Sequence, residues 1–163
     1  MSTGAPQPPY RAYATIAGTF VAGLGVVSGL AAARRRPLRE FTPIDLTMLG
    51  LATFKASRTV ARDKVTSFVR EPFVDGEAYD GDDERPAQDT EMRQAISELV
   101  TCTRCIGTWI GAALASTQIL APRTGRLLTS VLAAGALNDF LLAGFSAVTS
   151  KANELERAQQ PSG

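Results

Sequence analysis

The chain has 163 residues, with 17 Lys and Arg against 16 Asp and Glu, and no histidine. Its length fits one domain, and the near-even charge does not nominate nucleic acid as a partner. The absence of imidazole removes Ser-His-Asp and Cys-His catalysis, and no phosphate-loop, HExxH or dinucleotide signature is present.

The mean hydropathy is close to zero, but it averages segments that belong in different solvents. Residues 1–11 read as a polar N-terminal tail. Residues 12–33 follow with no charge at all, and then ARRRPLR. A helix rises about 1.5 Å per residue and needs roughly 20 residues to cross the hydrocarbon, so this stretch predicts a transmembrane anchor. The basic cluster follows the apolar run instead of preceding it, which favours a signal anchor, N-terminus outside, over a cleaved leader. The glycine-rich GTFVAGLGVVSG (18–29) lies inside that run with no strand before it, so it does not read as a phosphate cradle.

Residues 41–70 predict an amphipathic helix. Thr42 followed by Pro43 has the form of a helix start. The apolar part, FTPIDLTMLGLATF (41–54), is short, broken by Asp45 and Gly50, and succeeded by KASRTVARDK. Lys55, Arg58 and Arg62 share one helical stripe, with Lys64 and Arg70 beyond. The stripe suits contact with anionic lipid headgroups and anchors topology. Such a segment is expected to lie at the interface or to re-enter part-way under cover of other helices.

Residues 74–92 form an acidic loop. Eight acids (Asp75, Glu77, Asp80, Asp82, Asp83, Glu84, Asp89 and Glu91) fall between positions 75 and 91. The composition predicts a solvated linker, and Asp80 stands where a calcium loop beginning at Asp75 needs glycine. Residues 98–148 predict a transmembrane hairpin: IGTWIGAALASTQILAP (106–122), the turn PRTG, then LLTSVLAAGALNDFLLAGFSAV (127–148). The first arm is long enough only if its helix begins near Glu98 or Leu99, which puts Cys102 and Cys105 at its mouth. Residues 149–163 read as a polar tail.

The expected fold is therefore all-α: a polytopic membrane bundle of three spans plus one interfacial or re-entrant helix, with four spans as the alternative. With three spans and the N-terminus outside, fourteen Lys and Arg fall on the inner side, against Arg11, Arg123 and Arg126 outside. That matches the positive-inside tendency and puts the C-terminus in the cytoplasm.

Three features carry possible chemistry. A CxxC pair at a helix start gains thiolate stabilisation from the dipole and exposed N–H groups, and Arg104 adds to it. The βαβ setting of a thioredoxin motif is absent, and a zinc site wants four ligands where one chain offers two thiols. No cofactor is expected, zinc being open only with ligands shared between chains. Asn138 and Asp139 stand mid-way along the last apolar run, where a carboxylate marks a proton or ion site or pairs internally with Lys55 or Arg58. Small residues recur every fourth position, Gly25, Gly29 and Ala33, then Gly107, Gly111 and Ala115. Such stripes let helices approach closely, within one chain or between copies.

The order LATFKASRTVARDKVTSFVREPF, an acidic spacer, LVTCTRCIGTWIGA and a final apolar helix resembles small bacterial membrane proteins known as domain of unknown function 1360. The resemblance covers about residues 44–148. Arg58, Arg62, Asp63 and Lys64, then Arg70-Glu71-Pro72-Phe73, then Cys102, Cys105, Gly107 and Trp109 carry it, and the 12–33 span resembles an added anchor. It implies a bacterial cell membrane and multiple passes but no catalytic role. The leading expectation is a non-enzymatic scaffold or accessory subunit, partnered by the lipid bilayer and by further copies or a larger membrane complex. A thiol-redox or metal-binding protein acting through Cys102 and Cys105 is the second. A small transporter or channel component using Asp139 is the third.

Overall fold

The computed structural model describes residues 8–35, 40–75, 85–87 and 90–159. The expected tails at 1–7 and 160–163, Arg36 and Arg39, and most of the acidic loop lie outside the described residues. The protein is all-α. Its helices are α1 (Tyr10–Ala33), α2 (Pro43–Arg62), α3 (Ser67–Arg70), α4 (Glu91–Thr101), α5 (Thr103–Leu120) and α6 (Pro122–Gln159). Two single 3₁₀ turns flank α3, and β1 (Val74–Asp75) pairs antiparallel with β2 (Arg85–Pro86), Val74 opposite Pro86.

Thr42 caps α2 as its sequence predicts. The Asp45 N–H donates to Thr42 Oγ1 at 3.2 Å, and the Thr42 N–H donates to Asp45 Oδ2 at 3.0 Å, a reciprocal pair that satisfies two end donors. The helix then runs between α5 and α6, not along the outside of the bundle. Ala52 is fully buried among Leu114 of α5 and Ala133 of α6, with Met48, Leu49 and Ile110 around them. Small side chains set this close approach. A Cβ on Gly107 would sit 3.6 Å from Ser57 Cβ, and one on Gly111 would sit 3.3 Å from Thr53 Oγ1. Gly25 and Gly29 of α1 have no neighbour within 4 Å of a Cβ, so their half of the small-residue stripe meets no other described helix.

The contacts also fix direction. Ser57 meets Gly107 and Thr53 meets Gly111, so α2 runs antiparallel to α5. Ala52 lies with Ala133 and, further along, Lys55 meets Asp139, so α2 runs parallel to α6. Phe20 packs on Trp109, and Tyr13 reaches back to Glu98, so α1 runs parallel to α5. The four long helices thus alternate up, down, up, down.

Three boundaries differ from expectation, each for a local reason. The amphipathic helix stops at Arg62 because Arg70 folds back to cap it: Nη1 donates to the carbonyls of Val60 (2.7 Å) and Asp63 (3.1 Å) from a fully buried position. The hairpin is not continuous from Glu98, because Cys102 is extended (φ −94°, ψ 106°) and α4 meets α5 at 82°. The C-terminal tail stays helical to Gln159, since KANELERAQ has strong helix formers, no Gly or Pro, and a Lys151–Glu154 pair at 3.2 Å.

By length and composition, α1 and the Pro122–Arg157 part of α6 suffice to cross a membrane, while α4 and α5 suffice only as the bent pair. Large apolar side chains stay exposed on their outer faces, among them Val21 and Val26 on α1 and Leu141, Phe145 and Val148 on α6. A continuous apolar exterior of this kind seeks lipid or another protein.

Candidate functional site

The elbow between α4 and α5 begins with residues that weaken a helix. In VTCT, Thr101 turns its hydroxyl back to the Ser97 carbonyl (2.8 Å), a local bond that competes with regular helix, and β-branched Thr103 follows. Cys102 takes the N-cap place of α5, its Sγ accepting the Cys105 N–H at 3.3 Å. That is the geometry in which Ser or Asp usually caps a helix, here made by sulfur.

Cys102 is half-buried, Cys105 exposed, and both are free thiols. Burial pushes the Cys102 thiol up, but hydrogen bonds from the Cys105 side chain and from the backbone N–H groups of residues 104 and 105, with the Arg104 charge, outweigh it. The net direction is down. Of the two thiols Cys102 is the more acidic, since the Cys105 thiol is pushed up to about 11 by its Cys102 neighbour and by burial. Among the described residues no group of three or more His, Cys, Asp or Glu gathers, so one chain supplies this place with two sulfur ligands only.

Beside the elbow α1, α4 and α5 enclose a groove of about 520 Å³. Cys105 and Trp109 line one wall, Ile16 and Phe20 the other. Phe20 meets Trp109 edge-on at a centroid distance of 5.1 Å. At the α4 end Tyr13 Oη donates to Glu98 Oε2, and Gln94 Nε2 donates to Glu98 Oε1 at 3.0 Å.

A second polar locus joins α2 to α6. Lys55 Nζ lies 2.8 Å from Asp139 Oδ2, beside a crevice of about 370 Å³ that also touches Phe54, Arg58, Asp63 and Phe140. Gly135 leaves room for the Lys55 stem, whose Cε would lie 3.5 Å from a Cβ there. Asn138 points outward and is exposed. Of the basic stripe, Arg58, Arg62 and Lys64 are exposed at the end of α2, whereas Lys55 is engaged by Asp139. Arg70 is a correction: the headgroup contact expected of it is closed off, because its guanidinium is fully buried against the end of α2.

Residues 48–144 match the family described as Protein of unknown function (DUF1360). The chain belongs to this family. No curated protein and no solved structure matches it. The DUF1360 stretch runs from α2 into α6 and holds both cysteines, Lys55 and Asp139, while α1 stands outside it. The groove beside Cys105 therefore takes one wall from the DUF1360 segment and one from a helix added to it.

Several residues of this site escape a reading of the sequence. Ser97 is fully buried, accepting the Ala87 N–H at 3.1 Å and donating to the Phe73 carbonyl, so it ties both strands to α4. Tyr13 and Glu98 are 85 positions apart, and no periodic pattern connects them. Only the CxxC spacing signalled the elbow.

Proposed function

We propose that this DUF1360 protein is a membrane thiol-redox protein in which Cys102 and Cys105 cycle between dithiol and disulfide at the inner face of a four-span bundle. The observation that carries the reading is the sulfur cap: Cys105 donates its N–H to Cys102 Sγ at 3.3 Å in the first turn of α5. A thiol capping a helix start, more acidic than an ordinary cysteine and with a second thiol three residues on, is the reactive arrangement of a CxxC pair.

The four-span arrangement rests on α2. It has 20 residues, about 30 Å of helix at 1.5 Å per residue, which equals the hydrocarbon thickness. Its one mid-helix charge is matched by Asp139, itself central in an apolar run, and its remaining charges cluster at its ends. An even number of spans puts both termini on one side. Arg58, Arg62, Lys64, Arg70, Arg93 and Arg104 lie at the same end as the termini, and only Arg34, Arg35, Arg123 and Arg126 of the described chain lie at the other. The positive-inside tendency then makes the α4 end cytoplasmic, which replaces the N-outside orientation. Thiols there are kept reduced, so the resting pair is a dithiol.

Titrating the reduced, detergent-purified protein with diamide tests the reading. One intramolecular disulfide per chain is expected, absent in Cys102→Ser and Cys105→Ser. Two thiols that stay free under diamide concentrations that oxidise a small dithiol would leave the scaffold reading in its place.

A further inference from the structure

The groove beside Cys105 has features that bear on what oxidises the thiol pair, an inference that rests on the thiol-redox reading above. Its volume, about 520 Å³, falls in the range of small-molecule sites, roughly 300–1,000 Å³. Its walls are apolar and aromatic, and they belong to α1 and α5, so on the membrane reading the groove opens toward lipid, not toward water. The one acidic side chain among its lining residues, Glu98, accepts from the neutral donors Tyr13 and Gln94, which keep its negative sign and so turn away an anionic ligand. Apolar walls give a cation nothing to replace its hydration, so a neutral occupant carries neither penalty. A thiol on the wall selects one that accepts two electrons. A flat ring also suits the slot beside the edge-on pair Phe20 and Trp109.

We infer that the groove between α1 and α5 binds a membrane quinone and that Cys105 and Cys102 reduce it to the quinol. The step balances with the two thiols and the quinone alone. Cys102, the more acidic sulfur, first loses its proton to the cytoplasmic side; Cys105, the sulfur on the groove wall, then adds to a ring carbon as its proton passes to Cys102, whose Sγ its N–H already reaches. Cys102 releases that proton to the cytoplasmic side and attacks the Cys105 sulfur. The S–S bond forms, the S–C bond breaks, and its electron pair enters the ring, which leaves as quinol after taking up two protons. Two thiols and one quinone give one disulfide and one quinol. The Tyr13–Glu98 pair gives the polar end of the groove an acceptor for a quinol O–H. Cytoplasmic thiols re-reduce the disulfide from the Cys102 side, so the class of reaction that feeds the site is thiol–disulfide exchange.

The test uses the full chain, reduced, in nanodiscs of quinone-free phosphatidylcholine, with decylubiquinone as the lipid-side oxidant and diamide as the aqueous one. Quinol absorbance and free-thiol mass are followed together. The expected result is one quinol formed per two thiols lost, and none in either serine variant. Thr108→Trp, which fills the groove without replacing a sulfur, is expected to lower the quinone rate relative to the diamide rate by about tenfold or more. Disulfide formation by diamide but not by quinone overturns the groove assignment and leaves the redox reading standing. An unchanged rate ratio in Thr108→Trp also overturns it. Oxidation by neither reagent overturns both.

Discussion

Lys55 of α2 and Asp139 of α6 meet at 2.8 Å, tying together two parallel helices whose contact residues are 84 positions apart. Neither charge suits the middle of an apolar bundle alone, and together they present a neutral pair. The pair explains how a helix with Lys, Arg and Asp in it packs between α5 and α6.

Lys55→Met and Asp139→Leu should each destabilise the protein, by on the order of 2–3 kcal/mol, the cost of one unmatched charge at that depth. The double variant should recover most of the loss. Thermal unfolding of all three in one detergent checks this, and additive losses in the double variant would show that the pair couples nothing.

Among the described glycines Gly125 has the least room. A Cβ there would stand 2.5 Å from the Gln118 nitrogen and 2.6 Å from its Cα, both backbone. Gly125→Ala should force α6 off α5 at about 1–3 kcal/mol, the range of an overpacked core. Gly25→Ala meets no atom within 4 Å and should be neutral or slightly stabilising, by up to about 1 kcal/mol of helix propensity. Parallel melting curves of the two variants make the comparison.

Arg70→Lys should behave nearly as badly as Arg70→Met. One guanidinium nitrogen, Nη1, serves two carbonyls at the end of α2 from a fully buried place, and the lysine ammonium, on a stem one atom shorter and more strongly hydrated, cannot take that place. Limited proteolysis should cleave near residues 63–75 in both variants and spare the wild type.

Cys102 lies outside the helices it joins, and its thiol is held below the usual cysteine range by its hydrogen bonds. The sign follows directly: a lowered value keeps the thiolate populated to lower pH, so alkylation of Cys102 should begin at a lower pH than that of a free cysteine. In Cys105→Ala, which removes the S–H donor, the onset should move up. Trypsin cuts after Arg104 and separates the two cysteines, so peptide mass spectrometry reads each alone.

Reporter fusions test the orientation. Both the N-terminal and C-terminal reporters should report the cytoplasm, whereas three spans would put the N-terminus outside. A reporter at Arg123 should report the exterior in either arrangement.

Much of this architecture was legible because it rests on local chemistry. The uncharged run at 12–33 gave α1, Thr42 and Pro43 gave the start of α2, and the paired motifs around Arg58 and Cys102 gave the family. What stayed hidden depends on long-range contact. The depth of α2 follows from Ser57 and Thr53 fitting Gly107 and Gly111, and nothing near residue 57 announces it. The role of Arg70 follows from a chain reversal, and by composition it is one more basic residue on a stripe. The groove needs α1 to lie along α5, which juxtaposes Tyr13 with Glu98 without any signal in either segment.

A single residue, Ala121, separates the end of α5 from the start of α6. One peptide unit spans about 3.8 Å, too little slack for the two rods to part. On the membrane reading proposed above, the hairpin enters the bilayer as a unit, the greasier partner carrying the more polar one, and mutations that lengthen this joint should be felt first in biogenesis and only afterwards in the finished protein.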